Sequence, residues 1–407
     1  MKKLSDKILI ILFVLFIGGF GMAFFILPDN DFSEEENRYL QTFPDFGIDE
    51  LINGDFTENM NSYYADQFPW RNGLVGIKGV CETIALKGEN NGVLLGKGGQ
   101  LAVRLFDAYK DRHTVVEDTD YFFSENILRA IDAVKKFEQN CDIPFTVMIP
   151  PRTVDVAKSA FLYPDELSER LQGLLDENLS DSASYLNISR ILTDLYDSGE
   201  YVYYRTDHHW TTKGAYVAYS EIMKKWGMED LVIDESEFKK ETVTDFYGTT
   251  WSRAGYKFIS PDSLEIWTLP DDDLYVTTVY DSKNTVDDKG NTVTEKVSVK
   301  SFTSFYNREY LLKKDKYSVF LDGTHAEMTV TYEGNREGER EKILIAKDSF
   351  ANPVVTFLAR HFDIVVVNLA SGMCDLTAYA QEYDCDRILV LYNLENLVEN
   401  DNLANIK

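Results

Sequence analysis

The sequence predicts an α/β fold: a doubly wound, mostly parallel sheet with a β-rich insertion, preceded by an N-terminal transmembrane helix. Three observations lead there. An uncharged apolar run stands near the N-terminus. Short Val/Ile-rich runs alternate with helical stretches over residues 124–226 and again over 342–393. Between those regions the pattern changes to alternating segments punctuated by Gly, Asn and Asp. Short, fully apolar runs are typical of strands covered on both faces, whereas alternation marks strands with one wet face.

The apolar run is "ILIILFVLFIGGFGMAFFIL", Ile8 to Leu27, of roughly 20 residues, the length that spans a bilayer. Lys2, Lys3 and Lys7 precede it, which favours a cytoplasmic N-terminus and an extracytoplasmic remainder. The run is longer than a signal-peptide core and no small-x-small site follows it, so residues 1–28 read as a signal-anchor in the cell membrane. A cleaved signal peptide is the rival reading, and it exports the chain equally. Residues 29–90, polar and aromatic, read as a stalk and N-terminal extension. Residues 91–407 read as one large domain, with the β-rich insertion at about 257–341.

Composition narrows the function classes. A net charge of -27, from 41 basic and 68 acidic residues, lacks the basic footprint that nucleic-acid binding requires. Four cysteines are too few and too scattered for a disulfide scaffold, although Cys374 and Cys385 lie close enough in sequence for a bridge. The spacing of cysteines and histidines gives no zinc-type motif, so neither a metal nor another cofactor is expected.

In chain order, "GVLLGKGGQL" (Gly92 to Leu101) reads as a hairpin around its glycines. Ser124 to Asn140 shows apolar residues at helical spacing behind a capping serine, and leads into the strand "PFTVMI", Pro144 to Ile149. Helices follow from Asp165 to about Glu177 and from Thr212 to Trp226, the latter capped by Thr211 or Thr212 and stopped at Gly227. The strands "KILIA", "DIVVVNL" and "RILVLYN" close the chain with helical segments between them.

In open α/β sheets the chemistry gathers beyond the carboxyl ends of the strands. After "KILIA" comes Asp348-Ser349, with a helix starting near Asn352-Pro353, so Ser349 sits in the turn between strand and helix. Taken alone, a serine there reads as a helix cap. "YYRTDHHWTTKGAY", Tyr203 to Tyr216, alters that reading. In an extended segment Asp207 and His209 fall on the same side, so the acid can fix the imidazole tautomer, while His208 points away. Those two residues are the base and orienter that a serine nucleophile requires.

The same residues carry a resemblance. "TDHHWTTKGAY" looks like the signature of the DHHW family, and with "KDSF" the setting is similar to the alginate O-acetyltransferase group of SGNH-hydrolase-like proteins. "ENRYLQTFP", "VLLGKGGQL", "IPPRTVD" and "FYGTTWSRAGY" are further echoes. The resemblance implies an SGNH-hydrolase-like catalytic domain over residues 91–407. It implies an extracytoplasmic O-acyltransferase that moves an acetyl group through a serine acyl-enzyme onto a cell-surface or exported polysaccharide, supplied by a multipass membrane acyltransferase. Ser349, His209 and Asp207 are the expected triad. Arg152, His208, Trp210, Trp251 and Tyr392 are substrate-side candidates, and Asn352 and Asn393 are oxyanion candidates. A polysaccharide acetyl esterase with the same triad, or a non-catalytic polysaccharide-binding envelope protein, are the competing readings.

Overall fold

The computed structural model describes residues 2–36, 38–105, 119–286, 292–335 and 338–407. They form two units, one of residues 1–91 with 251–259, the other of residues 92–250 with 260–407.

In the N-terminal unit, helix α1 spans Lys2–Ile26. It is the one helix among the described residues long and apolar enough to cross a membrane, with a mean hydropathy of 2.8 over Asp6–Ile26. Two further helices, α2 (Asp55–Asp66) and α3 (Arg71–Ile84), follow. Arg38 ties the unit together, donating from Nη1 to Asp66 at 2.8 Å and from Nε to Glu36 at 2.6 Å. The buried positions of α3 are Gly76 and Gly79. A Cβ on Gly79 would lie 2.7 Å from the carbonyl oxygen of Gly255, so only glycine permits that approach.

The second unit begins with the hairpin β1 (Val93–Leu95) and β2 (Leu101–Val103). Helix α4 (Thr119–Asn140) leads to strand β3 (Phe145–Met148), then to α5 (Glu166–Leu179), α6 (Ser189–Asp197) and α7 (Thr212–Lys225). Strands β4 (Lys239–Phe246) and β5 (Asp262–Thr268) pair as a separate antiparallel ribbon. Strands β6 (Tyr275–Val286), β7 (Thr292–Thr303), β8 (Glu327–Tyr332) and β9 (Lys342–Lys347) follow. Helix α8 (Ala351–Leu358), β10 (Asp363–Asn368), α9 (Leu376–Tyr383), β11 (Arg387–Leu391) and α10 (Leu394–Glu399) complete the alternation.

Seven strands form one sheet in the order β7-β6-β8-β10-β9-β11-β3. The four from β10 to β3 run parallel, and β8, β6 and β7 pair antiparallel. The expectation of a mostly parallel sheet therefore becomes a mixed one: the alternating segments of residues 257–341 that were expected as an insertion contribute β6, β7 and β8 to the same sheet. Both faces of the parallel part are covered. Ile343 and Ile345 of β9 pack into a core shared with α7 and α8, while Leu344 and Ala346 pack into one shared with α4, α5 and α9.

Helix boundaries follow the expected capping chemistry at α5, where Asp165 accepts the N–H of Ser168, and at α7, where Thr211 accepts that of Gly214. Ser124 does not cap α4, which starts at Thr119. Phe123 lies in the core one turn before Ile127, so the buried stripe runs past the serine and carries the helix with it. All four cysteines are free, so Cys374 and Cys385 are not bridged.

Gly214, in the first turn of α7, faces Val202 and Trp210; a Cβ there would meet the carbonyl oxygen of Val202 and lie 2.8 Å from the Trp210 Cβ. Gly214→Ala should therefore cost about 1–3 kcal/mol through overpacking, read as a lower urea midpoint.

Candidate active site

The segment with the paired histidines is not an extended strand. The chain bends through residues 205–209 between the backbone bridge of Tyr203 and Trp210, and the N–H of Tyr204 donates to His209 O at 3.2 Å. The buried carboxylate of Asp262, at the start of β5, shapes this loop. It accepts the Thr206 N–H at 2.7 Å, the Thr206 hydroxyl at 2.6 Å, the Tyr201 hydroxyl at 2.6 Å and Arg205 Nε at 3.1 Å.

At the tip, Asp207 Oδ1 accepts both the backbone N–H of His209 at 3.0 Å and its ring Nδ1–H at 2.6 Å. Asp207 Oδ2 accepts the N–H of Thr249 at 2.9 Å and its hydroxyl at 3.2 Å. The neighbouring Gly248 leaves room, since a Cβ there would collide with Asp207. With Nδ1 engaged, His209 turns Nε2 toward Ser349 Oγ, 2.7 Å away and 140 residues later in the chain. Ser349 thus spends its hydroxyl on the imidazole rather than on capping α8, which has no side-chain cap.

Ser349 follows β9 in the expected turn. Asp348 accepts the N–H of Phe350 at 2.9 Å, the N–H of Asn393 and the side-chain amide of Asn396 at 3.2 Å, which ties this turn to the one after β11. Trp210 is fully buried, and its indole N–H donates to Phe350 O at 3.0 Å. Tyr317 stacks on the His209 ring, with centroids 3.9 Å apart and planes 11° apart, and its hydroxyl donates to Ser349 O at 3.1 Å.

Electrostatics separate the two partners. Burial disfavours the charge on Asp207, but the two imidazoles and the Thr249 N–H outweigh it and hold its carboxyl well below the usual range. Burial pushes the His209 imidazole down to about 4, with His208 adding to the effect and Asp207 opposing it. The resting pair is therefore an ionised acid and a neutral base. Ligand atoms of Asp207, His208 and His209 lie within 4.8 Å of one another, but both His209 nitrogens already serve hydrogen bonds, which suits proton transfer.

The remaining candidates divide. His208 does not point away, as extended geometry implied: its ring lies against that of His209 with centroids 3.8 Å apart, and Nδ1 sits 2.9 Å from Thr249 Oγ1. His208, Arg152, Thr153, Phe350, Asn393 and Glu395 line a pocket there. Arg152 is consumed by its own buried ion pairs, donating to Asp165 at 3.1 Å and Glu395 at 2.6 Å, and it also reaches Val103 O. Asn352 is buried and does not line that pocket: its amide nitrogen donates to Gly323 O at 3.1 Å and its oxygen accepts the buried Lys347 ammonium. Burial pushes that ammonium down to about 8. Tyr392 lies in the core with its hydroxyl on Asn400, and Trp210 is likewise internal, so neither offers a surface to substrate. Trp251 falls in the N-terminal unit, beneath the ammonium of Lys257 at 3.9 Å. Asn393 stays at the pocket wall, its side-chain oxygen accepting the Asn396 N–H at 2.9 Å.

Residues 187–368 match the DHHW protein family model. The matched segment holds Asp207, His209 and Ser349 together. A DHHW family protein from Eubacterium siraeum superposes with a TM-score of 0.54 at 20% identity, over 78% of this chain and 95% of that one. Bacillus cereus PatB1 bearing a sulfonyl adduct gives 0.53 at 17% identity, over 77% and 97%. These likenesses show that the DHHW segment is set in a shared fold. The O-acetyltransferase domain of Pseudomonas putida AlgJ aligns more loosely, at a TM-score of 0.41 and 12% identity over 78% of this chain and 95% of that one. No curated protein matches the sequence.

Sequence reasoning missed Tyr317, Thr249 and Asp262. Thr249 lies inside "FYGTTWSRAGY", but nothing in its spacing ties it to Asp207. Asp262→Ala would leave the buried Thr206 N–H without its acceptor and remove those of Tyr201 and Arg205, and should cost about 1–3 kcal/mol in urea unfolding.

Proposed function

We propose that the protein is an extracytoplasmic O-acyltransferase that carries an acetyl group on Ser349 and delivers it to a hydroxyl of a cell-surface or exported polysaccharide. The observation that supports this most is the unbroken hydrogen-bond line from Asp207 through His209 to Ser349 Oγ. His209 Nε2 takes the Ser349 proton as Oγ attacks the carbonyl carbon of an acyl donor. The donor's leaving group departs with that proton, and the acetyl group remains as an ester on Ser349. A sugar hydroxyl then gives its proton to His209 and attacks the ester carbonyl. The acetyl moves to the sugar, and Ser349 recovers the proton.

Asp207 holds the imidazole in the tautomer with Nδ1 protonated and stabilises the imidazolium at each step. The N–H of Ser349 and the side-chain NH2 of Asn393 are the proposed oxyanion donors. Residues 1–28 would fix the enzyme to the membrane with the remainder outside. A multipass membrane acyltransferase would present the donor.

The full-length chain in detergent, given 4-nitrophenyl acetate, should gain one acetyl group on Ser349 by intact-protein mass spectrometry. The adduct should vanish in Ser349→Ala, and His209→Ala should slow its formation roughly 100- to 10,000-fold. No adduct on the wild-type chain would overturn the reading. Acetate released without transfer to any oligosaccharide hydroxyl would move the assignment to an acetyl esterase.

The pH dependence carries its own signature. The His209 value lies at about 4, below the ordinary imidazole value, so the neutral base persists as pH falls. The acid limb of kcat/KM should accordingly lie near pH 4, and a limb near 6.5 would contradict the buried, neutral base.

A further inference from the structure

We propose that the outward apolar face of the N-terminal unit lies in the bilayer leaflet at the carboxyl end of α1, so that this unit rests in the membrane surface and is not a stalk held clear of it. The inference depends on α1 being a retained anchor. A helix at a protein surface normally buries its apolar stripe and exposes its polar one. Helix α3 departs from this. It turns Val75, Gly76 and Gly79 inward, while the larger Ile77, Val80 and Ile84 stand outward at 50%, 42% and 75% exposure. Their three- and four-residue spacing extends back to Trp70, which is 64% exposed and held in a left-handed conformation at φ 57° that a tryptophan rarely adopts.

Contacts within the unit place the segment that leads into α3 beside the apolar span. Phe20 of α1 stacks on Phe68, with centroids 5.4 Å apart, and Phe24 meets Tyr63 and Tyr64 at 5.7 and 5.4 Å. Phe20 lies six residues before the end of α1, about 9 Å at the helical rise. Phe68 therefore sits at the depth of the last turns of the span, and Trp70 follows two residues later. Tyrosine and tryptophan at that level match the aromatic belt at a membrane interface. Beyond the span the basic residues of this unit are few, Arg38, Arg71, Lys78, Lys87, Arg253 and Lys257, so the attraction is burial of apolar surface and not the charge of anionic headgroups.

The test uses the full chain in phosphatidylcholine nanodiscs, with its four cysteines replaced by alanine and nitroxides placed singly at Ile77→Cys, Lys78→Cys and, within α1, Val14→Cys. Labels at 77 and 14 should be reached by oxygen in preference to a water-soluble nickel chelate, and the label at 78 should show the opposite. In the chain with native cysteines, dibrominated phosphatidylcholine should quench part of the tryptophan emission, and Trp70→Phe should abolish that part. A label at 77 as open to nickel as the one at 78, with position 14 still in lipid, overturns the proposal and leaves the anchor intact. Dipolar broadening at 77 would assign the face to a second copy and equally overturn it. Nickel access at 14 would remove the anchor, and the proposal with it.

Discussion

The buried carboxylate of Asp262 fixes the loop on which the site depends. It sits at the start of β5, outside the main sheet, and gathers four donors from Tyr201, Arg205 and Thr206. Those bonds bend the chain just before Asp207, so the acid and His209 meet across a turn of three residues. The β4–β5 ribbon is thus tied into the site without contributing a reacting atom. Thr249, between the two strands of that ribbon, completes the Asp207 shell.

The second constraint is the parallel register of β9 and β11. It brings Asp348 beside Asn393 and Asn396, and the turn carrying Ser349 is held from that side. Trp210 holds it from the other through Phe350 O. The Asp-His-His-Trp run thereby divides in chain order: Asp207 accepts from His209 Nδ1, His208 lines the pocket, His209 meets Ser349 Oγ through Nε2, and Trp210 clamps the loop to the serine turn.

Much of this is legible in the sequence because it is local or periodic. The Val/Ile runs of β9, β10 and β11 mark strands covered on both faces, and the position of Ser349 follows from a strand meeting a helix. Asp207 and His209 do pair, but for a different reason from the one spacing suggests, since a bend does here what a pleat would do in a strand. What stays hidden depends on contacts far apart in sequence. Arg152 reads as open to substrate because its carboxylate partners, Asp165 and Glu395, lie 13 and 243 residues away. Trp210 and Tyr392 read as surfaces because aromatic residues near a site look alike in sequence whether they face a ligand or a core. The antiparallel strands of residues 275–332 carry an alternating pattern that suits an edge of the main sheet as well as a separate insertion.

Ser349 and His209 lie in hydrogen-bond contact, and the Tyr317 ring presses on the imidazole. The same tyrosine donates to Ser349 O, so one side chain braces both the ring and the serine turn. Under the proposed function, selection between acceptors would rest with the pocket walls, and turnover with the supply of acyl groups.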